Sequence, residues 1–271
     1  MEQNVQIQSS HVQLAATLHF PINQKAEGRV PLVIICHGFV GNRIGVNRLF
    51  VKAAREFASQ GFAVLRFDYE GCGESHGEYG SYEFGRFIQQ TRDVIGYGAS
   101  IPGVDKNQII LLGHSLGGAV AALTASVDER IKKLMMWSAV GHPFHDIVQI
   151  IGQEECDKTK TVPYIDHEGY ALTNIFLDSL KSFVPLEKCK TFQGDVFVAH
   201  GTKDEVIPSD YCALYQHAFK RGSSSSAVKE LIPGADHTFS SLEGSKALYK
   251  LSLQWLLKNT YTMEKRSVEA I

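Results

Sequence analysis

The chain has 271 residues, 44% of them hydrophobic, which suffices for one substantial core. Its 27 Lys and Arg against 29 Asp and Glu give a formal net charge of -2 with no long block of one sign, so no nucleic-acid partner is expected. No apolar run approaches the length of a membrane span, so no membrane partner is expected either.

The opening MEQNVQIQSSHVQLAATLHF has no basic start, no continuous apolar core and no clear cleavage site, so a secretory signal is not expected. Within it, VQLAATLHF (12–20) alternates and predicts an early antiparallel strand. PLVIICHG (31–38) is apolar throughout, as a strand covered on both faces is. NRLFVKAAREFASQG (47–61) places Leu49, Phe50, Ala53, Ala54, Phe57 and Ala58 on one helical stripe, and Gly61 ends it. FAVLRFDYEG (62–71) is the next strand. SYEFGRFIQQTRDVIGYGAS (81–100) opens on Ser81 with Glu83 behind it and predicts a helix. QIILLGHS (108–115) is a further buried strand, followed by a helix of small residues, LGGAVAALTAS (116–126). IKKLMMWSA (131–139) and DVFVAHG (195–201) add two strands. SDYCALYQHAFK (209–220) is a helix with Ser209 or Asp210 as its cap. AVKELIPG (227–234) is the last strand and SKALYKLSLQWLLK (245–258) the last helix. This alternation predicts an α/β fold with a mostly parallel sheet covered on both faces.

Residues 141–190 break the rhythm and hold no strong strand. HPFHDIVQIIGQ is a short helical piece and EECDKTKTVPYIDHEGY is polar and turn-rich. ALTNIFLDSLKSF puts Leu172, Ile175, Phe176, Ser179, Leu180 and Phe183 on one side. An insertion of this length in an α/β domain is a cap, a binding loop or a small subdomain. The expected organisation is therefore a core in two parts, 1–140 and 191–261, an inserted cap at 141–190 and a loosely held tail at 262–271. GSSSSA (222–227) is expected to be a brief flexible loop. The five cysteines are odd in number and widely spaced, with no Cys-x-x-Cys, so reduced thiols in a cytoplasmic protein are expected rather than disulfides or zinc.

In ILLGHSLGGA (110–119) a buried strand runs into Ser115, fenced by Gly113 and Gly117, and a helix follows. A serine on such a turn takes a strained backbone, and its neighbours two residues away crowd each other. The turn exposes the hydroxyl at the carboxyl end of the strand, beside a helix N-terminus. A serine nucleophile needs a base and an orienting acid. Asp204 follows the strand DVFVAHG and His237 follows AVKELIPG, both at the same strand ends as Ser115. Glu205 is the alternative acid, but Asp204 better fits the first loop position. The two oxyanion donors are expected to be the backbone N–H groups of Leu116 and Phe39.

HGF, FDYEGCGES, GHSLGG, HGTKDEVIP and GADHTF, in this order, resemble the α/β-hydrolase fold family, and most of all its bacterial cinnamoyl/feruloyl esterase branch. The likeness covers nearly the whole chain. It implies an eight-stranded, mostly parallel sheet with an inserted cap. It also implies a serine carboxylesterase that acts through an acyl-enzyme on hydroxycinnamate or similar small aromatic esters, with no cofactor and no metal. The branch commonly has glutamine after the serine, where this chain has Leu116. By the same resemblance Asp146, Gln153 and Tyr170 would read the aromatic acyl group. Asp146 and Gln153 are read equally well as exposed polar residues of a cap helix. The expected partner is a small ester, and a homodimer is a compatible assembly. The alternatives are a general short-chain esterase, lipase, thioesterase or peptidase of the same superfamily. A non-catalytic ligand-binding relative is disfavoured because Ser115, Asp204 and His237 are all present. His114 is expected to pack beside the elbow and His37 to brace the oxyanion loop. His142, His145 and His167 are read as solvated or structural, and Asp68, Glu70 and Glu74 as loop architecture.

Overall fold

The computed structural model describes residues 1–21 and 28–268, of which 262–268 by backbone alone. β1 (Glu2–Ser9) and β2 (Val12–His19) form a hairpin. After it come β3 (Val30–Cys36), α1 (Leu49–Ser59), β4 (Ala63–Phe67), α2 (Gly85–Ser100), β5 (Val104–His114), α3 (Leu116–Ala125) and β6 (Ile131–Trp137). The insertion holds α4 (Pro143–Ile151), α5 (Gln153–Lys158), β7 (Ile165–His167), β8 (Tyr170–Leu172), α6 (Asn174–Ser179) and α7 (Pro185–Lys188). The core resumes with β9 (Asp195–Gly201), α8 (Tyr211–Arg221), β10 (Ser226–Ile232) and α9 (Leu242–Val268).

Eight strands make one sheet in the order β1-β2-β4-β3-β5-β6-β9-β10. β2 pairs antiparallel with β1 and β4, and the other pairings are parallel. The continuous apolar runs are explained by two cores. Leu32, Ile34 and Cys36 of β3 face one core, while Val33 and Ile35 face the other. Ile109 and Leu111 alternate in the same way with Ile110 and Leu112, and Leu134 and Met136 with Met135 and Trp137. α2, α3 and α8 cover the first face, and α1 and α9 the second. Each fully buried Leu, Ile or Phe in these layers contributes about 1.5–3 kcal/mol through burial. The order of the central strands places the ends of β3, β5, β9 and β10 along one edge of the sheet, where the site residues gather.

Several local expectations differ from the structure. β1 is a strand whose pattern shows only Val5 and Ile7 as apolar, because its outer side is exposed. α2 starts at Gly85 rather than Ser81, and the amide of Phe84 before it donates to Ser179 Oγ of the insertion, 2.8 Å away. Asp210 makes no side-chain cap on α8; the amides of Tyr211 and Cys212 donate instead to the carbonyls of Pro208 and Ser209, at 3.1 and 3.0 Å. ALTNIFLDSLKSF is not one helical stripe. Thr173 interrupts it and caps α6 by accepting from Phe176 N at 3.3 Å, so Ile175 is exposed and Leu177 buried in its place. The serine loop 222–227 is tied to the start of β9, with Ser224 and Ser225 hydroxyls donating to the carbonyls of Gly194 and Gln193 at 2.8 and 2.7 Å. The backbone of α9 runs into the stretch expected to be a tail, and residues 269–271 of that stretch lie outside the described residues.

Candidate active site

β5 ends at His114 and α3 begins at Leu116, so Ser115 alone turns the chain. It does so at φ 56° and ψ -126°, a conformation that costs a non-glycine residue about 1–3 kcal/mol. Backbone bonds hold it there. Ser115 N donates to Trp137 O at 3.0 Å, and Ser115 O accepts from Gly118 N at 2.9 Å and Val140 N at 3.0 Å. A Cβ at Gly113 would lie 2.2 Å from Gly117 O, and one at Gly117 would lie 2.3 Å from the carbonyl oxygens of both Cys36 and His37. The elbow therefore needs glycine at both flanks because backbone meets backbone.

The loops after β9 and β10 bring Asp204 and His237 to this serine. His237 Nε2 is 3.0 Å from Ser115 Oγ, and His237 Nδ1 is 2.8 Å from Asp204 Oδ2. A carboxylate only accepts, so the proton on a neutral His237 sits at Nδ1. Nε2 is then free to accept from the Ser115 hydroxyl. Asp204 Oδ1 accepts from the amides of Val206 and Ile207, at 3.0 and 2.8 Å. Burial pushes the Asp204 carboxyl up, but hydrogen bonds from His200 and His237 outweigh it and hold its pKa far below the usual carboxylate range. Glu205, the alternative acid, is exposed. His114 Nε2 donates to the carbonyl of His237 at 2.9 Å, which steadies the loop, and burial pushes its imidazole down to about 3.

The loop after β3 closes on the serine from the other side. A Cβ at Gly38 would meet Ser115 Cβ at 2.9 Å. Phe39 follows, and its ring stacks with Phe176 and packs against Tyr79 and His167. His37 donates from Nδ1 to Gly38 O at 2.9 Å and accepts from Tyr69 N at 3.1 Å, so it does brace this loop. Among the described residues, the amides of Phe39 and Leu116 donate to no protein acceptor. They stand beside Ser115 as two unspent donors.

A cleft of about 410 Å³ opens over Ser115 and His237. Its apolar wall includes Phe39, Val40, Leu49, Phe50 and Ile150, and its polar groups include Asn42, His167 and Glu168. Ile150, His167 and Glu168 come from the insertion. Asp146, Gln153 and Tyr170 are not among the lining residues. Asp146 is buried, accepting at Oδ2 from the amides of Gly141 and His142 (3.1 and 2.9 Å) and at Oδ1 from Tyr211 Oη (2.8 Å). Gln153 is exposed and donates to Asp157 at 3.1 Å. Tyr170 packs its ring edge-on against Tyr79 at 5.4 Å. At the hairpin tip Glu168 went unread in sequence, and His167, read as solvated or structural, lines the cleft beside it; Glu168 and Gly169 form the turn, both at positive φ, 52° and 85°. The Glu-Gly pair was the available signal, since a tight hairpin turn demands that geometry. His200 was also missed, though it lies four residues before Asp204 on the strand. Asp68, Glu70 and Glu74 serve loop architecture: Asp68 accepts from the amides of Arg43 and Glu74, the Arg43 side chain binds Asp68 and Glu74, and Glu70 holds Gln90 and Arg86. Among the described residues no group of three or more His, Cys, Asp or Glu could hold a metal ion, and no helix is long and apolar enough to cross a membrane.

A family model described as alpha/beta hydrolase fold matches residues 31–154. An uncharacterized 31.7 kDa protein of the traX-finO intergenic region of Escherichia coli is 39% identical over 108 residues, covering 39% of this chain and 37% of that protein. The quorum-quenching protein AidA of Acinetobacter baumannii is 30% identical over 130 residues, covering 47% and 40%. The chain thus spans less than half the length of these curated relatives. Among solved structures, Est1E from Butyrivibrio proteoclasticus with ferulic acid bound superposes with a TM-score of 0.81 at 22% identity, over 94% of this chain and 98% of that one. Sheet order, elbow and comparisons agree: this chain has the α/β-hydrolase fold.

Proposed function

We propose that this protein is a serine carboxylic-ester hydrolase that works through an acyl-enzyme. One observation carries the reading. Ser115 Oγ, His237 and Asp204 are joined at 3.0 and 2.8 Å, with the tautomer of His237 fixed so that Nε2 faces the hydroxyl. Ser115 Oγ attacks the ester carbonyl carbon while its proton passes to His237 Nε2. The carbonyl oxygen becomes an oxyanion and accepts from the amides of Phe39 and Leu116. As the tetrahedral adduct collapses, the bond to the alcohol oxygen breaks, and His237 gives that oxygen its proton. Water then loses a proton to His237 and attacks the acyl carbon. The second collapse breaks the bond to Ser115 Oγ, which recovers its proton, and the carboxylic acid leaves. Asp204 stabilises the charged imidazole in both halves.

The preferred substrates are esters of small aromatic acids, hydroxycinnamates included. An apolar slot with a few polar groups in its wall suits a ring that carries a hydroxyl. Here Phe39, Leu49, Phe50 and Ile150 supply the slot, and His167 and Glu168 the polar groups. The fold neighbour Est1E holds ferulic acid. A fluorophosphonate probe tests the mechanism: labelling should map to Ser115 and vanish in Ser115→Ala, and an unlabelled wild type would refute it. A panel of methyl ferulate, methyl p-coumarate, short aliphatic and long-chain esters tests the substrate class. Equal rates on simple acetates would reduce the assignment to a general esterase.

A further inference from the structure

Asp204 is held by two imidazoles, and the serine mechanism uses one of them. His200, on β9, places Nε2 2.9 Å from Asp204 Oδ2, the same oxygen that receives His237 Nδ1. The same Nε2 lies 3.1 Å from the carbonyl of Ile207. Both neighbours only accept, so Nε2 carries the proton and His200 donates to each. Its other nitrogen, Nδ1, is buried with no hydrogen-bond partner, and the side chain is fully enclosed. His200 therefore serves as a one-sided donor, through Nε2 alone.

A buried nitrogen without a partner is a cost that an apolar side chain at this inward position of β9 would avoid. Its neighbours on the strand, Val196 and Val198 on one side and Phe197 and Ala199 on the other, are apolar and wholly buried. The benefit set against this cost lies at Asp204. His200 ties the carboxylate to the carbonyl of Ile207, while the carboxylate itself takes the amides of Val206 and Ile207, so the acid loop is closed at both ends. It also draws on the charge of the oxygen that His237 needs.

We propose that His200 is a positioning residue for the Ser115–His237–Asp204 relay: it fixes Asp204 Oδ2 in direction and shares its charge, so that His237 is steadied without being held as a trapped cation. This rests on the serine-hydrolase reading above. Less charge on Oδ2 favours return of the proton from His237 to the leaving oxygen. The other titratable groups around the carboxylate leave this role to His200. His114, from the end of β5, has its ring 5.0 Å from that of His237 and is kept neutral by burial. Asp236 is partly desolvated, yet bonds from Ser240 hold its carboxyl below the usual range. Glu205, with His145 and Asp146 of α4, lines the adjoining groove to which Asp204 also contributes, but none of the three hydrogen-bonds the Asp204 carboxylate.

Two polar variants separate positioning from packing. The side-chain nitrogen of His200→Gln reaches toward the position of Nε2, whereas His200→Asn is shorter by one methylene and falls short. For p-nitrophenyl acetate, His200→Asn should lower kcat by about tenfold with little change in KM, because His200 does not line the cleft. Its kcat/KM profile should also lose activity at higher pH on the acidic side, since a more strongly charged Oδ2 keeps His237 protonated longer. His200→Gln should recover most of both. Equal losses in the two variants with an unmoved pH profile, or no loss in either, would overturn the proposal. A fluorophosphonate control keeps the two readings apart. If wild type fails to label at Ser115, the serine mechanism falls and the role of His200 with it. If wild type labels while the two variants behave alike, only the role of His200 falls.

Discussion

Replacing Gly117 with alanine tests the elbow directly. The new methyl carbon would lie 2.3 Å from the carbonyl oxygens of Cys36 and His37, where ordinary contact begins at 3.4 Å. The gap of about 1.1 Å must come from movement of backbone, because both obstructing atoms are backbone. β3 has little freedom to recede, since Cys36 sits in register with Gly113 and the strand pairs on both sides. α3 has little freedom to lift, since all ten of its residues are buried and a Cβ at Gly118 would already be 2.5 Å from Ala139 Cβ. Overpacking of this kind costs about 1–3 kcal/mol. The shift also moves the Leu116 amide relative to Phe39, and a displacement on the order of 1 Å at reacting groups lowers the rate by about a hundredfold.

Urea unfolding followed by the fluorescence of Trp137 and Trp255, together with kcat on p-nitrophenyl acetate, measures both effects. Gly152→Ala serves as the control. Gly152, unlike Gly117, lies at positive φ, 98°, but nothing stands within 4 Å of its added carbon, so the strain there is conformational and involves no clash with the elbow. The expected pattern is lost stability in both variants and lost kcat in Gly117→Ala alone. A Gly117→Ala protein with wild-type midpoint and turnover would refute the argument that backbone contact sets this glycine.

Asp204→Asn should lower kcat by about three to four orders of magnitude, because an amide nitrogen facing His237 forces the wrong tautomer and blocks Nε2 from accepting the serine proton; retained turnover would remove Asp204 from the mechanism. The depressed pKa of Asp204 gives a sign for acid stability: its contribution is present above the unfolded value of about 3.9 and is lost as pH falls toward the folded one. Urea midpoints of the wild type should therefore decline below about pH 4, with a shallower decline in Asp204→Asn. Gln153→Ala should leave both stability and ester preference within error, since that side chain is exposed and bonded to Asp157. Asp146→Ala should instead destabilise by about 2–4 kcal/mol, because it strands the buried Gly141 amide, the part-buried His142 amide and the buried Tyr211 hydroxyl. A selective loss of hydroxycinnamate turnover in a fully stable Asp146→Ala protein would return that residue to substrate recognition.

What could be read in the sequence depends on how far the deciding contact lies along the chain. The central strands were legible because burial on both faces leaves no polar position, as in PLVIIC and IILLG. Ser115, Asp204 and His237 were legible for a related reason. Each follows a parallel strand closely, and parallel strands deliver their ends to one edge, so chain order alone predicts convergence. The insertion offers no such rule. β7 and β8 are three residues long, too short for alternation to register, and their tip carries two polar groups of the cleft, His167 and Glu168. The family resemblance offers Asp146 as a recognition residue, and it reads equally as an exposed polar residue of a cap helix, but it is buried. In the fold it turns back onto the amides at the start of its own helix, as an acidic residue in a first turn readily does. His200 was hidden by the opposite appearance. A histidine inside an apolar strand passes for core packing, and only the position of Asp204, set by the loop that follows, shows what it donates to. Residues whose partners are fixed by strand order are thus readable from sequence, while those whose partners are fixed by loop closure become readable only once the loop is built. Both kinds meet in the cleft: the segment from His37 to Phe50 after β3 supplies most of its wall, and the insertion adds Ile150, His167 and Glu168 above the strand ends that bring Ser115 and His237 together.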